Sequence, residues 1–315
     1  MRFSIILFFL LLGFSGLGQN RPHDKWNDFG SSHINKWLQI APATLGPNSL
    51  PVPFMDYARL DSLSNIEIGA HAHFMEGDRG VNSYFSLYWA VVPKRVVVHI
   101  WGYPTETFQT DNSVRDDRQI YYDDTGWITQ TGDYWITTYI QLVRDHNGWP
   151  DITICYAAKT TTGGAIQGRF TDAPANYYSA AFGKSIHPKN GFIDEVRFGI
   201  MGGFYVWQTN KVELAQDEGP LYQFGLDLKH KNWSWRNEIG GYWGYDAYQY
   251  QFPDVPDSND PLIYRTNLKF SAKRFDWKCE YQTGLHDYLY NTFRMSVSYK
   301  FGFGEYKIDK LSRER

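Results

Sequence analysis

The chain has only two cysteines in 315 residues, which excludes a disulfide scaffold and a cysteine-rich zinc module. It also lacks a surplus of charge. Without the first eighteen residues, 30 basic side chains stand against 34 acidic ones, a net of −4 with histidine neutral. That balance excludes a strongly basic nucleic-acid binder and a disordered polyelectrolyte, so no nucleic-acid partner is expected. Beyond Phe14 there is no unbroken apolar run of spanning length, so no helical membrane span is expected. Catalytic and cofactor fingerprints are missing too. There is no G-x-S-x-G elbow, no H-E-x-x-H and no dinucleotide motif, and Gly183-Lys184-Ser185 lacks the earlier glycine that a phosphate loop needs. No cofactor is expected.

The N-terminus is a basic start, Met1-Arg2, an apolar run Ile5 to Phe14, then Ser15-Gly16-Leu17-Gly18. The run is about half the length of a spanning helix and small residues follow it, so residues 1–18 read as a signal peptide cut before Gln19. Aromatic residues make up 18% of the chain and, with 28 glycines, are spread along it, which favours strands over helices.

From Ile66 onward the sequence falls into segments with period-two alternation, separated by Gly, Pro, Asn and Asp. Twelve begin, near Ile66, Val81, Val96, Asp133, Ile152, Tyr177, Val196, Leu221, Trp233, Leu262, Phe275 and Thr292. Their two faces differ. The eleventh sets Phe275, Trp277, Cys279 and Tyr281 against Asp276, Lys278, Glu280 and Gln282. The twelfth sets Phe293, Met295, Val297, Tyr299, Phe301 and Phe303 against Arg294, Ser296, Ser298, Lys300 and Gly302. A soluble sandwich alternates likewise with its apolar face buried, so alternation leaves a secreted all-β glycan binder open.

Loop length and girdle residues favour a membrane barrel. The links after strands two, eight and ten are tight, at Pro93-Lys94-Arg95, Lys231-Asn232 and Lys273-Arg274. Those after three, five, seven and nine are long: Thr110 to Gly132, Thr161 to Asn176, Thr209 to Pro220 and Asp246 to Pro261. On the outward face of the ninth, Trp233 and Trp235 are separated from Trp243 and Tyr245 by roughly 25 Å, the height of a barrel's apolar band. The layout resembles the outer-membrane β-barrels of Gram-negative bacteria over residues 66–303. That resemblance implies a transmembrane antiparallel up-and-down barrel of about 12 strands in the cell outer membrane. It also implies contact with outer-membrane lipid and lipopolysaccharide, and a last strand, Tyr299 to Phe303, read by the barrel assembly machinery. Residues 304–315 are then a periplasmic tail, and both ends of the mature chain are periplasmic.

With that facing, the lumen receives Lys159, Arg197, Lys229, Arg236, Arg265, Lys269, Lys273, Lys278, Arg294 and Lys300. Against them stand Glu67, Asp227, Glu238, Asp276 and Glu280. Such a set is either a cross-strand network or a partly basic wall drawing small anionic solutes. Residues 19–65 do not alternate and carry a Pro/Gly-punctuated run from Ala41 to Pro53. A plug, a periplasmic arm touching an envelope partner, and a lid over the periplasmic mouth are the readings of such a stretch. His71, His73 and His99 are weak metal candidates, with Glu67 on the face shared by the first two. His71 or His73 with Ser86 is the one lumen pairing that keeps a lipid hydrolase in view. Cys155 and Cys279 are expected to face opposite ways, unpaired. The Asp- and Tyr-rich loops, with Asp111, Asp116, Asp117, Asp123 and Asp124 in one, are solvated or bridge to lipopolysaccharide through divalent ions. The functional expectation is a passive channel or uptake barrel, with a structural barrel of an envelope complex as the alternative.

Overall fold

The structure, a computed structural model, describes residues 43, 45–117, 126–144, 146, 148–164, 168–171, 174–189, 191–207, 217–244 and 259–302. The expected signal peptide, the tail after Gly302 and the loop tips at Asp123, Asp124 and Tyr245 lie outside them. The strands are β1 (Ser64–Met75), β2 (Asp78–Val92), β3 (Val96–Gly102), β4 (Glu106–Thr110), β5 (Ile128–Gln130), β6 (Tyr134–Val143) and β7 (Asp151–Lys159). They continue with β8 (Ala175–Ile186), β9 (Glu195–Trp207), β10 (Asp217–His230), β11 (Trp233–Tyr242), β12 (Leu262–Ala272), β13 (Phe275–His286) and β14 (Asn291–Phe301).

Twelve of these, all but β4 and β5, form a closed antiparallel barrel. β1 closes it by pairing with both β2 and β14, from Ser64↔Phe301 to Phe74↔Asn291 on the β14 side. Closure removes every free edge, which a sheet in lipid must do because no water satisfies an unpaired backbone group there. The tight turns at one end use lysine in the left-handed region, Lys94 (φ 62°), Lys231 (φ 49°) and Lys273 (φ 51°), which matches the right-handed twist of hairpin strands. Lys273 therefore belongs to a turn and is exposed, a correction to its expected place on the lumen wall.

The stretch Thr110 to Gly132, expected as one long loop, is partly regular. β4 pairs with the outer end of β2 (Asp78↔Thr110 to Asn82↔Glu106), β5 pairs with β4, and a short helix α1 (Asn112–Asp117) lies between them. Strands of five and three residues are too short to show a period.

Period two sorts the side chains. Ile68, Phe198, Phe224, Leu268, Trp277, Phe293 and Met295 stand exposed around the outside of the closed sheet, where a soluble sandwich would bury them. Trp233, Trp235 and Trp243 are likewise exposed near the two ends of that surface. Asn237 interrupts the apolar face, and its Oδ1 accepts a hydrogen bond from the Tyr264 hydroxyl at 2.6 Å. Trp235 donates its indole N–H to Thr266 at 2.8 Å in the same way. Polar groups on this face are thus paired along the wall. Cys155 faces in and Cys279 out, both free.

Candidate functional site

The lumen is filled by the chain's own residues 45–63. At Leu45–Gly46 this segment is at the long-loop end, where the Gly46 N–H donates to the Gly168 carbonyl at 2.8 Å. By Leu60–Asp61 it has reached the short-turn end, where the Lys94 N–H donates to the Asp61 carbonyl at 3.4 Å. It crosses the whole barrel before β1 begins. It is neither a lid across the inner mouth nor an arm outside it. The chain stands at the long-loop end at Leu45; residues 19–42 lie outside the described residues.

Pro47, Pro51 and Pro53 keep this thread from pairing as a strand, so its carbonyls need donors from the wall. They find them on strands far apart around the barrel. The Tyr288 hydroxyl donates to Pro47 O (3.2 Å) and the Tyr242 hydroxyl to Leu50 O (2.8 Å). Arg265 donates to Val52 O (3.1 Å) and Gln223 to Pro53 O (2.5 Å). Arg197 donates to Tyr57 O (2.8 Å), Gln141 to Ala58 O (2.9 Å) and Arg144 to Leu60 O (2.6 Å). Gln141 also accepts from the Leu60 N–H at 3.0 Å. Asp56 accepts from Thr153 Oγ1. The guanidinium of Arg265 lies 4.3 Å over the Phe54 ring and that of Arg236 5.1 Å over Tyr57. Room for the thread comes from Gly199 and Gly225, directly opposite each other on β9 and β10, where a Cβ would collide with Met55.

Above the middle of the barrel the lumen is sealed by rings. Trp101 stacks on Trp135 (5.8 Å, 9°), Trp135 meets Tyr177 and Tyr205, and Tyr205 meets Trp207 and Tyr242. The seal is capped by Arg169, from the segment between β7 and β8, which folds inward with no exposure. It bridges Asp78 (2.5 Å), Glu106 (2.6 Å) and the Tyr290 hydroxyl (3.2 Å), all buried. Burial alone would lower the Arg169 pKa; the Glu106 and Asp78 carboxylates outweigh it and hold the group above the usual arginine value.

Below the seal a cavity of about 290 Å³ remains between thread and wall, reaching the short-turn end at Arg59, Asp61, Lys269, Asp276 and Lys278. Its lining also holds His71, Tyr84, Ser86, His99, Arg236, Glu238, Arg265, Glu280 and Arg294.

The basic residues singled out in the sequence are mostly neutralised in pairs. Lys159 bonds Asp133 (2.5 Å), Arg197 Asp151 (2.7 Å), Lys229 Glu195 (2.9 Å) and Arg236 Asp227 (3.1 Å). Arg265 pairs with Glu238, Lys278 with Glu67 (2.6 Å), Arg294 with Glu280 (2.5 Å) and Lys300 with Asp276 (2.6 Å). Lys273 in its turn aside, Lys269 alone of that set has no carboxylate within ion-pair distance among the described residues.

The histidines are engaged singly. His73 bonds Thr292 (2.8 Å) and Asn48 (3.3 Å), and His71 stacks on Tyr84 at 4.8 Å. His99 bonds Ser86 at 3.1 Å, but among the described residues no carboxylate bonds its other ring nitrogen. Nor do three metal-binding side chains converge among them. Sequence reading did not single out Gln141, Gln223, Tyr242 or Arg169. Alternation puts the first two on inward faces, but nothing local marks them as thread donors, and Arg169 sits in a stretch with no period at all.

No family model matches the chain, and no curated protein does. Solved structures do. The COG4313 outer-membrane channel from Pseudomonas putida F1 superposes with a TM-score of 0.53 at 10% identity, covering 79% of this chain and all of that one. The KdgM porin in complex with disordered oligogalacturonate gives 0.43 at 8%, covering 75% of this chain and 99% of the porin. The transport unit of the Escherichia coli autotransporter AIDA-I gives 0.43 at 10%, covering 84% and 100%. At such identities the likeness is one of fold: the chain has the fold of outer-membrane β-barrels.

Proposed function

We propose that this protein is an outer-membrane channel for small solutes, held closed by its own residues 45–63. The observation that carries this reading is the thread itself. A twelve-strand wall is wider than the eight-strand type that side chains alone can fill, and here the extra width is taken by a segment that the wall grips through hydrogen bonds and ring contacts. Such bonds are individually worth about 1 kcal/mol, so a plug held by them can be displaced without unfolding the strands. Residence in a Gram-negative outer membrane, export through residues 1–18, and contacts with lipid, lipopolysaccharide and the assembly machinery are parts of this reading. With most lumen charges paired, anion selectivity rests on few groups rather than on a basic wall.

Planar-bilayer recording tests it. The full chain should show rare openings, and Gly225→Val, which crowds Met55, should raise the open fraction while the protein keeps its heat-dependent gel mobility. A folded Gly225→Val barrel that stays silent removes the channel reading. The completeness of the aromatic seal favours a second reading, a structural barrel within an envelope complex. Silence in both proteins, with a partner retained by crosslinking, is its signature.

A further inference from the structure

We propose that the inner cavity contains a binding site for a compact oxyanion, a carboxylate or phosphate group, centred on Lys269. Lys269 lines the cavity and is half-buried on β12, yet it makes no ion pair with the carboxylates around it. Lys278 lies directly opposite it on β13, and Arg236 is on β11 opposite the neighbouring inward residue Asn267. Each of those two already holds one carboxylate, Glu67 at 2.6 Å and Asp227 at 3.1 Å. Like charges directly opposite on paired strands destabilise a sheet, and Lys269 is left without a carboxylate at bonding distance, facing a space open at the short-turn end.

Asp61 and Asp276 attract Lys269 only from beyond bonding distance: Asp276 is bonded by Lys300 at 2.6 Å, and Asp61, from the thread, is exposed at the rim. An oxyanion entering from the short-turn end would be drawn to Lys269, with Lys278 and Arg236 adding field from either side. The volume, about 290 Å³, suits a small acid or a single phosphate rather than a polymer. This deepens the channel reading and rests on it only for how solute leaves the cavity, since the site is reached from the short-turn end with the thread in place.

Isothermal titration of the detergent-folded full chain with inorganic phosphate, and separately with glucuronate, is the test. Saturable binding of either is expected, phosphate alone identifying a phosphate site and glucuronate alone an organic-acid site. Lys269→Met should weaken it by about tenfold or more, Lys269→Arg should retain it, and Lys184→Met, exposed on β8 and outside the cavity lining, should leave it unchanged. Unboiled and boiled gels establish that each variant is folded. No saturable binding of either anion, or equal affinity in folded Lys269→Met, overturns the proposal. Binding without conductance in Gly225→Val would remove the channel and keep the site; conductance without binding would do the reverse.

Discussion

The two halves of the lumen are closed by different physics. The outer half is closed by contact: rings from β3, β6, β8, β9 and β11 pack on one another, and a buried arginine from the segment beyond β7 locks them to β2, β4 and the turn before β14. The inner half is wet and occupied by paired charges, with the thread held mainly by side chains donating to its carbonyls. The ring seal is held by buried apolar surface, with Leu45, Leu50 and Val52 of the thread packed into it, whereas the hydrogen-bonded part of the thread below exchanges its partners for water at small net cost. The difference places rigidity at the long-loop end and adjustability at the short-turn end.

The comparison is broken most severely at Arg169. Arg169→Met takes from the buried Asp78 and Glu106 the guanidinium that bridges them, a loss of about 3–5 kcal/mol. Urea unfolding of the folded barrel should show it, and proteolysis should be enhanced at the long-loop end. In the same half, Trp135→Ala should cost about 3 kcal/mol through the cavity it leaves, and should admit a small aqueous quencher to the remaining lumen tryptophans.

Much of this was legible in the sequence, and the part that was not has a physical reason. The twelve wall strands and their facing follow from period two, because on a strand a residue's side is set by its own position. Trp277 and Lys278 are assigned to opposite faces by counting alone. What a lumen side chain bonds to is set by the closed wall and the thread. Arg265 reaches Val52 across 213 positions, and nothing near either residue records it. The thread itself has no period, its prolines showing only that it is no strand. Arg169 lacks even a face, so its burial is visible only in three dimensions.

The inner half gives smaller effects and sharpens the contrast. Arg265→Met removes a guanidinium that bonds Val52 O and covers Phe54, and leaves Glu238 short of its partner. Its expected cost is about 2–3 kcal/mol in the same urea assay, and channel recordings should show more frequent openings. Tyr57→Phe deletes one hydrogen bond, to Asn237 O, and should cost about 1 kcal/mol in the same urea assay. A Tyr57→Phe effect as large as that of Arg169→Met would mean the two halves are not separable.

The thread has a further consequence for how the molecule is made. Its carbonyls are held by Gln141 on β6, Arg197 on β9, Gln223 on β10 and Arg265 on β12, while its end runs directly into β1, the strand that meets β14 at the seam. It therefore works as a mandrel, gathering distant parts of the sheet before the seam joins. Sealing the wall and filling the bore are thereby coupled.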